Sequence, residues 1–201
     1  AAPAPKTGKC TLNFNNGKNY CGVASCGTNQ QSSNQNGGQA AYSQELDLSK
    51  ATDAVISFWS NQSVEKNRLT HDIARLQVSS NNFAGCSNNK LSTNSINCNP
   101  GNGNTTTYVI PKTAQTIGTW QQVKLNVKKY AGKKIRLRFR FATGSSSWGN
   151  NSGKLYNDHP GWFIDDLRVL AAVPGGGGNQ GGGGGNAGNG CKDPLKTGAK
   201  C

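Results

Sequence analysis

Alternating apolar and polar residues recur along the chain and predict half-buried β-strands. The stretches from Asp53 to Trp59 and from Asp72 to Val78 both show this period of two. The apolar residues of one face are Ala54, Ile56 and Phe58 in the first stretch and Ala74, Leu76 and Val78 in the second. Because successive side chains of a strand point to opposite faces, each stretch is typical of a strand with one buried face. Cys10–Phe14 and Gly161–Val169 predict further strands near the two ends.

The longest alternation predicts two consecutive strands that share a core. One face of the first strand carries Val123, Leu125 and Val127, and one face of the second carries Ile135, Leu137, Phe139 and Phe141. The opposite face of the second strand carries Arg136, Arg138 and Arg140. Since the apolar faces must be covered, the pattern predicts an all-β chain built as a sandwich of two antiparallel sheets.

Composition divides the chain of 201 residues into four parts. Residues 1–38 form a Cys-rich N-terminal segment that contributes a strand, and residues 39–173 form the sandwich domain. Residues 174–190 form a Gly-rich linker, which by composition behaves as a flexible chain. Residues 191–201 form a tail bounded by two cysteines, so we expect the sandwich to carry a Gly-rich C-terminal tail. The tail sequence PLKTGAKC also nearly repeats the sequence PKTGKC that ends at Cys10.

The seven cysteines indicate disulfides and export. They show no CxxC spacing of a zinc or redox site. We expect Cys86 to pair with Cys98 and Cys191 with Cys201, and two of Cys10, Cys21 and Cys26 to pair, with Cys21 and Cys26 able to close a small loop. An odd number leaves a free thiol or a bond between chains. The first residues, AAPAP, look like the end left by a signal peptidase, so we predict a secreted protein. No apolar run reaches the ~18 residues of a membrane span.

A formal charge of +13 favours anionic partners. Nucleic acid is disfavoured, since the sequence shows no helix-turn-helix, zinc-finger or aromatic RNA-binding motif.

Three segments between Glu45 and Val169 carry a resemblance to a known family. The most specific pieces are the pattern W-x-x-V-x-L-x-V-x-x-Y-A-G-K-x-I-x-L-R-F from Trp120 and the closing G-W-F-I-D-D-L from Gly161. They resemble the MAM-like, concanavalin-like jelly-roll superfamily. That superfamily includes accessory domains of immune-inhibitor-A-type secreted metallopeptidases and cleaved-adhesin modules of bacterial surface proteins. The resemblance implies a jelly-roll sandwich used for adhesion or attached to another protein, and it does not imply an enzyme.

The inventory of reactive residues predicts no catalysis but leaves room for calcium. The sequence has two histidines, His71 and His159, and no HExxH or G-x-S-x-G motif. Calcium prefers carboxylates on loops at strand ends. The carboxylates that fit are Glu65, Asp72, Asp165 and Asp166. The resemblance supports calcium, since adhesin modules bind it near comparable acidic positions. The alternative is that these acids accept hydrogen bonds at the rim of the sandwich.

Two sets of residues are candidates for ligand binding. The stripe Arg136, Arg138 and Arg140, with Lys133 and Lys134 and widened by Lys124, Lys128 and Lys129, suits a sulfated or carboxylated polysaccharide. An ordinary solvated strand face would show the same stripe. Trp148 and Tyr156 are candidates for stacking on sugar rings, whereas Trp162 is expected in the core.

The sequence therefore predicts a secreted, non-catalytic module for adhesion or carbohydrate binding, with calcium as a possible cofactor. Its expected partners are an anionic polysaccharide, or a protein of the extracellular matrix or surface. Two alternatives stay open. One is a structural subunit of a self-assembling extracellular filament, joined through its termini and the odd cysteine. The other is the accessory domain of a secreted protease.

Overall fold

The computed structural model describes residues 3–14, 39–64, 72–86, 103–142 and 159–174. Nine strands and one short 3₁₀ helix lie within these ranges. In chain order the strands are β1 (Leu12–Asn13), β2 (Gln39–Tyr42), β3 (Leu46–Asp47), β4 (Asp53–Ser63), β5 (Ile73–Ser79), β6 (Thr105–Val109), β7 (Trp120–Asn126), β8 (Lys134–Ala142) and β9 (Gly161–Ala172), with the 3₁₀ helix Lys128–Tyr130 before β8. Among these elements there is no helix long and apolar enough to cross a membrane.

The strands form two antiparallel sheets. The front sheet has the order β1-β9-β4-β7, and the back sheet has the order β2-β8-β5-β6, with β3 also pairing with β8. The longest pairing joins β4 to β9, and it shifts register between Ser57 and Trp59, where β9 carries one extra residue. Asp166 lies at this bulge with φ 50°. The prediction of an all-β, two-sheet antiparallel architecture is confirmed.

The core lies between the sheets and is formed by the predicted apolar faces. Ala54, Ile56 and Phe58 of β4, Ala74, Leu76 and Val78 of β5, and Ile135, Leu137, Phe139 and Phe141 of β8 are all buried. Phe58 meets Phe139 edge to face at 5.5 Å, which joins the two sheets through their rings. The alternation therefore predicted correctly which side chains face inward.

Trp162 anchors one region of this core, as the sequence predicted. Its side chain is fully buried, and its ring stacks on that of Phe14 at 4.9 Å. Its indole Nε1 donates to Ser60 Oγ at 3.0 Å, which satisfies a polar group that burial would otherwise leave unpaired. The N-terminal segment therefore packs into the sandwich through Phe14.

The pattern did not reveal every strand. The segment Thr105–Val109 shows no alternation of apolar and polar residues, because three threonines come first. It forms the edge strand β6, where most side chains are half-buried and Val109 is 60% exposed. An edge strand buries less of either face, so its sequence carries a weaker period.

Candidate functional site

The predicted arginine stripe lies on the outer face of the back sheet, but two of its three arginines are buried. Arg138 is 1% exposed and Arg140 is 5% exposed, while Arg136 is half-buried. Strand β8 lies inside the back sheet, between β2 and β5. The burial of Arg138 and Arg140 contradicts the prediction that these two residues belong to a solvated cationic face. Ligand binding through Arg136 stays a prediction.

A network of polar contacts holds Arg138 in place. Its Nε donates to Gln77 Oε1 at 2.7 Å, and Gln77 Nε2 donates in turn to Thr107 Oγ1 at 2.9 Å. The guanidinium also lies 4.3 Å from the centre of the Phe83 ring, a distance typical of a cation–π contact. Arg138 thus contributes to the structure of the sheet.

Arg75 belongs to the same buried surface. It lies opposite Arg140 in the pairing of β5 with β8, and burial lowers the pKa of its guanidinium. We call the outer surface formed by Arg75, Gln77, Arg138 and Arg140 the arginine face.

The predicted calcium ligands do not come together within the described part of the chain. There, no group of three His, Cys, Asp or Glu side chains is placed to hold a metal ion. Asp165 accepts hydrogen bonds from Thr7 and from the amide of Asp166, and Asp166 pairs with Arg168 Nε at 2.9 Å. Asp72 is buried before β5, and its backbone carbonyl accepts a hydrogen bond from Lys112 Nζ at 2.8 Å. Glu65 lies outside the described residues, so calcium binding stays a prediction.

The remaining predicted residues fall largely outside the described ranges. Trp148, Tyr156, Cys21, Cys26, Cys98, Cys191 and Cys201 all lie there. Cys10 is a half-buried free thiol, and Cys86 is disulfide-bonded. The predicted disulfide pairings and the stacking roles of Trp148 and Tyr156 stay predictions.

A concentrated cationic surface lies at one end of the sandwich instead. It is formed by exposed lysines from the turn before β4, from the segment between β7 and β8, and from the first residue of β8. We call this surface the lysine end, and its members are Lys50, Lys128, Lys129, Lys133 and Lys134. Four of these residues were predicted as part of the arginine and lysine stripe or its widening, and Lys50 was not predicted.

Backbone hydrogen bonds fix the two segments of the lysine end against each other. Leu48 N donates to Lys133 O, and Gly132 N donates to Leu48 O, both at 2.9 Å. Tyr130 lies buried beneath them, and its hydroxyl donates to Val78 O at 2.7 Å. The lysines are therefore presented by a rigid base.

The acidic residues near the lysine end do not neutralise it. Glu45 Oε1 lies 3.5 Å from Lys134 Nζ, with both side chains well exposed to water. Hydrogen bonds from Ser49 lower the pKa of Asp47, and the positive charges of Lys134 and Lys50 lower it further. Two acids face five lysines, so the local charge stays positive.

A second surface lies on the outer face of the front sheet. Trp59 of β4 is paired with Asp165 of β9, and Trp120 of β7 is paired with Asn61 of β4. The N-terminal residues 4–7 lie across these side chains. We call the surface formed by Trp59, Trp120 and Asp165 the front-face site. No sequence pattern indicated it, because its three side chains come from three separate strands.

A cavity of about 380 Å³ opens beside the edge strand β7. The residues that line it include Gln62, Ile110, Pro111, Val123 and Leu125. Gln62 Nε2 donates to the backbone oxygens of Ile110 and Pro111 at 3.2 and 3.1 Å. Among the described residues that line it there is no aromatic side chain, so this part of the lining offers no platform for stacking on sugar rings.

Neither a scan against models of known protein families nor a search of curated proteins found a match to this chain.

Proposed function

We propose that this protein is a secreted, non-catalytic module that binds an anionic polysaccharide through the lysine end. The observation that carries the proposal is the concentration of five exposed lysines on a turn, a 3₁₀ helix and the start of β8, with two acids nearby. A cluster of like charges on a rigid base raises the local concentration of a polyanion and guides its approach. The jelly-roll adhesion modules that the sequence resembles give the same expectation.

The lysine end suits a flexible polymer better than a small anion. Its ammonium groups stand on side chains that are exposed to water. Lys129 and Lys133 lie 5.2 and 5.9 Å from the centre of the Tyr130 ring, which restricts part of their motion. A row of sulfate or carboxylate groups on the polymer can therefore contact several lysines at once, and each ion pair contributes a small amount to the free energy of binding.

Affinity measurements with soluble polymers test the proposal. We expect the full chain to bind heparin, or the carboxylated polymer polygalacturonate, and to lose affinity steeply as salt rises, because exposed charges are screened. Neutral dextran should not bind. The variant K50Q/K128Q/K129Q/K133Q should bind at least about tenfold more weakly, since exposed ion pairs contribute up to ~1 kcal/mol each.

A pair of matched double variants separates a local site from net charge. K129Q/K133Q removes two charges from the lysine end, whereas K9Q/K124Q removes two exposed charges elsewhere. We expect the first to weaken polymer binding several-fold more than the second. Equal effects would contradict a local site, and absence of binding to both polymers at low salt would overturn the proposal.

A further inference from the structure

The N-terminal residues make three specific contacts with the front-face site. Trp120 Nε1 donates to Ala4 O at 3.0 Å, and Lys6 Nζ lies 4.4 Å from the centre of the Trp59 ring. Thr7 donates twice to Asp165, from its backbone N to Oδ2 at 2.8 Å and from its Oγ1 to Oδ1 at 3.2 Å. A Lys-Thr dipeptide is thus bound by an aromatic ring and a carboxylate.

The side chains that form this site all belong to the front sheet, and the N-terminal segment is the peptide that they bind. Trp59 and Asp165 are register partners on β4 and β9, so their spacing is set by the sheet. Asp166, the next residue in the chain, lies at the bulge. Its amide donates to Asp165 Oδ1 at 2.7 Å, which orients the carboxylate. An oriented carboxylate accepts hydrogen bonds from the amide and hydroxyl of a threonine, and an indole face attracts an ammonium group.

The residue after the bound dipeptide has a backbone requirement. Gly8 has φ 61°, in the left-handed region that glycine adopts most readily. The contacts of the site therefore match the sequence Lys-Thr-Gly.

The same three residues occur once more in the chain. Lys196, Thr197 and Gly198 repeat Lys6, Thr7 and Gly8, and the two copies of the sequence both continue to a lysine and a cysteine. The other Lys-Thr pair, Lys112 and Thr113, is followed by alanine, and Lys112 Nζ already donates to Asp72 O. The tail thus carries the one other segment with the recognised sequence.

We propose that Lys196–Gly198 of a second copy binds the front-face site in place of Lys6–Gly8, which links copies of this protein head to tail. The tail follows residues 175–190, which are dominated by Gly and Asn and separate it from the last strand. A contact between two different surfaces of identical chains does not close on itself by two-fold symmetry, so it generates a ring or an open linear assembly. This inference is independent of polysaccharide binding, which uses the lysine end and not the outer face of the front sheet.

Competition between the two segments gives the proposal a distinctive signature. The N-terminal segment is tethered beside its own site, which gives it a high effective concentration. The tail of a second copy must displace it. Weakening the N-terminal segment should therefore strengthen association between copies, and weakening the tail should abolish it.

Sedimentation velocity on the full chain tests these opposite effects, with free thiols blocked so that disulfide exchange cannot link copies. We expect K6Q/T7V to associate at concentrations at least about tenfold lower than the parent chain, because the tethered competitor is lost. K196Q/T197V should stay monomeric, and the matched tail variant K200Q should behave like the parent. Equal sedimentation of K6Q/T7V, K196Q/T197V and the parent would overturn the proposal.

A peptide experiment tests the site directly. A fluorescent peptide of residues 192–200 should bind the full-chain K6Q/T7V protein, and binding should fall at least tenfold when Asp165→Asn is added. Trp59→Leu gives a second measure, since it removes the indole face without touching the carboxylate. A peptide with K196Q/T197V serves as the control. Equal binding of the two peptides, or binding that survives both Asp165→Asn and Trp59→Leu, would overturn the proposal.

Discussion

Arg75 on β5 and Arg140 on β8 lie directly opposite each other, and both side chains are buried on the outer face of the back sheet. Like charges in this position repel each other, and desolvation of each guanidinium further reduces the stability of the folded state. The arginine face is thus a buried polar layer outside the apolar core. Its hydrogen bonds are the features that a substitution should disturb most.

Arg138→Met tests the contribution of the arginine face to stability. The substitution keeps much of the side-chain volume but removes the donor to Gln77 Oε1, which is buried. We expect the free energy of unfolding to fall by about 2–4 kcal/mol, because a buried polar group loses a charged partner. Denaturant unfolding of the full chain measures the change.

Arg136→Met is the control for this experiment. Arg136 lies on the same strand but is half-buried, so the free energy of unfolding should change by less than about 1 kcal/mol. If Arg138→Met lowers the free energy of unfolding by as little as the control does, the buried network contributes little to stability.

The sequence predicted the inward faces of the strands but could not predict what covers the outward ones. The alternation from Ile135 to Phe141 correctly places Phe139 in the core, because a period of two distinguishes the two faces of a strand. It does not tell whether the second face meets water or other residues. That depends on contacts between distant segments, and for this reason Arg138 and Arg140 were misassigned.

The lysine end was only partly predictable for a related reason. Lys128 to Lys134 stand together in the sequence, but Lys50 joins them through the backbone hydrogen bonds of Leu48. The front-face site depends even more on tertiary structure, since Trp59, Trp120 and Asp165 meet only when three strands pair in the correct register. No local pattern carries that information.

Ser60→Ala tests the buried contact between Ser60 and Trp162. The substitution leaves the indole Nε1 of Trp162 buried without its acceptor. The free energy of unfolding should fall by about 1–3 kcal/mol, the cost of an unsatisfied buried donor. Thermal unfolding followed by tryptophan fluorescence measures the effect, and the emission of Trp162 should change in the folded state.

Ser57→Ala on the same strand is the matched control, because Ser57 is also buried but lies away from Trp162. It should change stability by less than Ser60→Ala does. If the two variants lose the same amount of stability, the hydrogen bond between Trp162 and Ser60 makes no measurable contribution to the free energy of unfolding.

Because the phenol of Tyr130 is buried, we expect the protein to lose stability at alkaline pH. Burial raises the pKa of its phenol above the ordinary value of 10.0, although a hydrogen bond with Thr106 acts in the opposite direction. The unfolded chain therefore ionises Tyr130 at lower pH than the folded chain. The stability that depends on the neutral phenol is fully present below pH 10 and is lost as the pH rises through the folded pKa.

Melting temperatures measured between pH 8 and pH 11 check this prediction. The parent chain should lose stability above about pH 10, and Tyr130→Phe should lose less over the same interval, because its side chain cannot ionise. Tyr108 remains in both proteins. Its pKa is raised mainly by burial and further by the neighbouring Tyr130, so Tyr130→Phe removes this second contribution as well. Identical slopes for the two proteins would mean that Tyr130 does not control alkaline unfolding.

Gly132→Ala connects the backbone of the lysine end to polymer binding. Gly132 has φ 81°, which an L side chain rarely adopts, and its N–H donates to Leu48 O. An added Cβ meets no atom within 4 Å, so the effect comes from the backbone alone. We expect a loss of about 1–2 kcal/mol in unfolding free energy. A shift of the adjacent Lys133 should also weaken heparin binding several-fold.

Gly118→Ala separates these two effects. Gly118 has φ 77° with no atom within 4 Å of an added Cβ, and its N–H also donates to a backbone oxygen, that of Gln62. The substitution should cost a similar amount of stability while leaving heparin affinity unchanged, because Gly118 lies in the loop before β7 and not between the lysines. If both variants lose stability and neither loses affinity, the geometry of the lysine end does not matter for binding. Net charge alone would then attract the polymer.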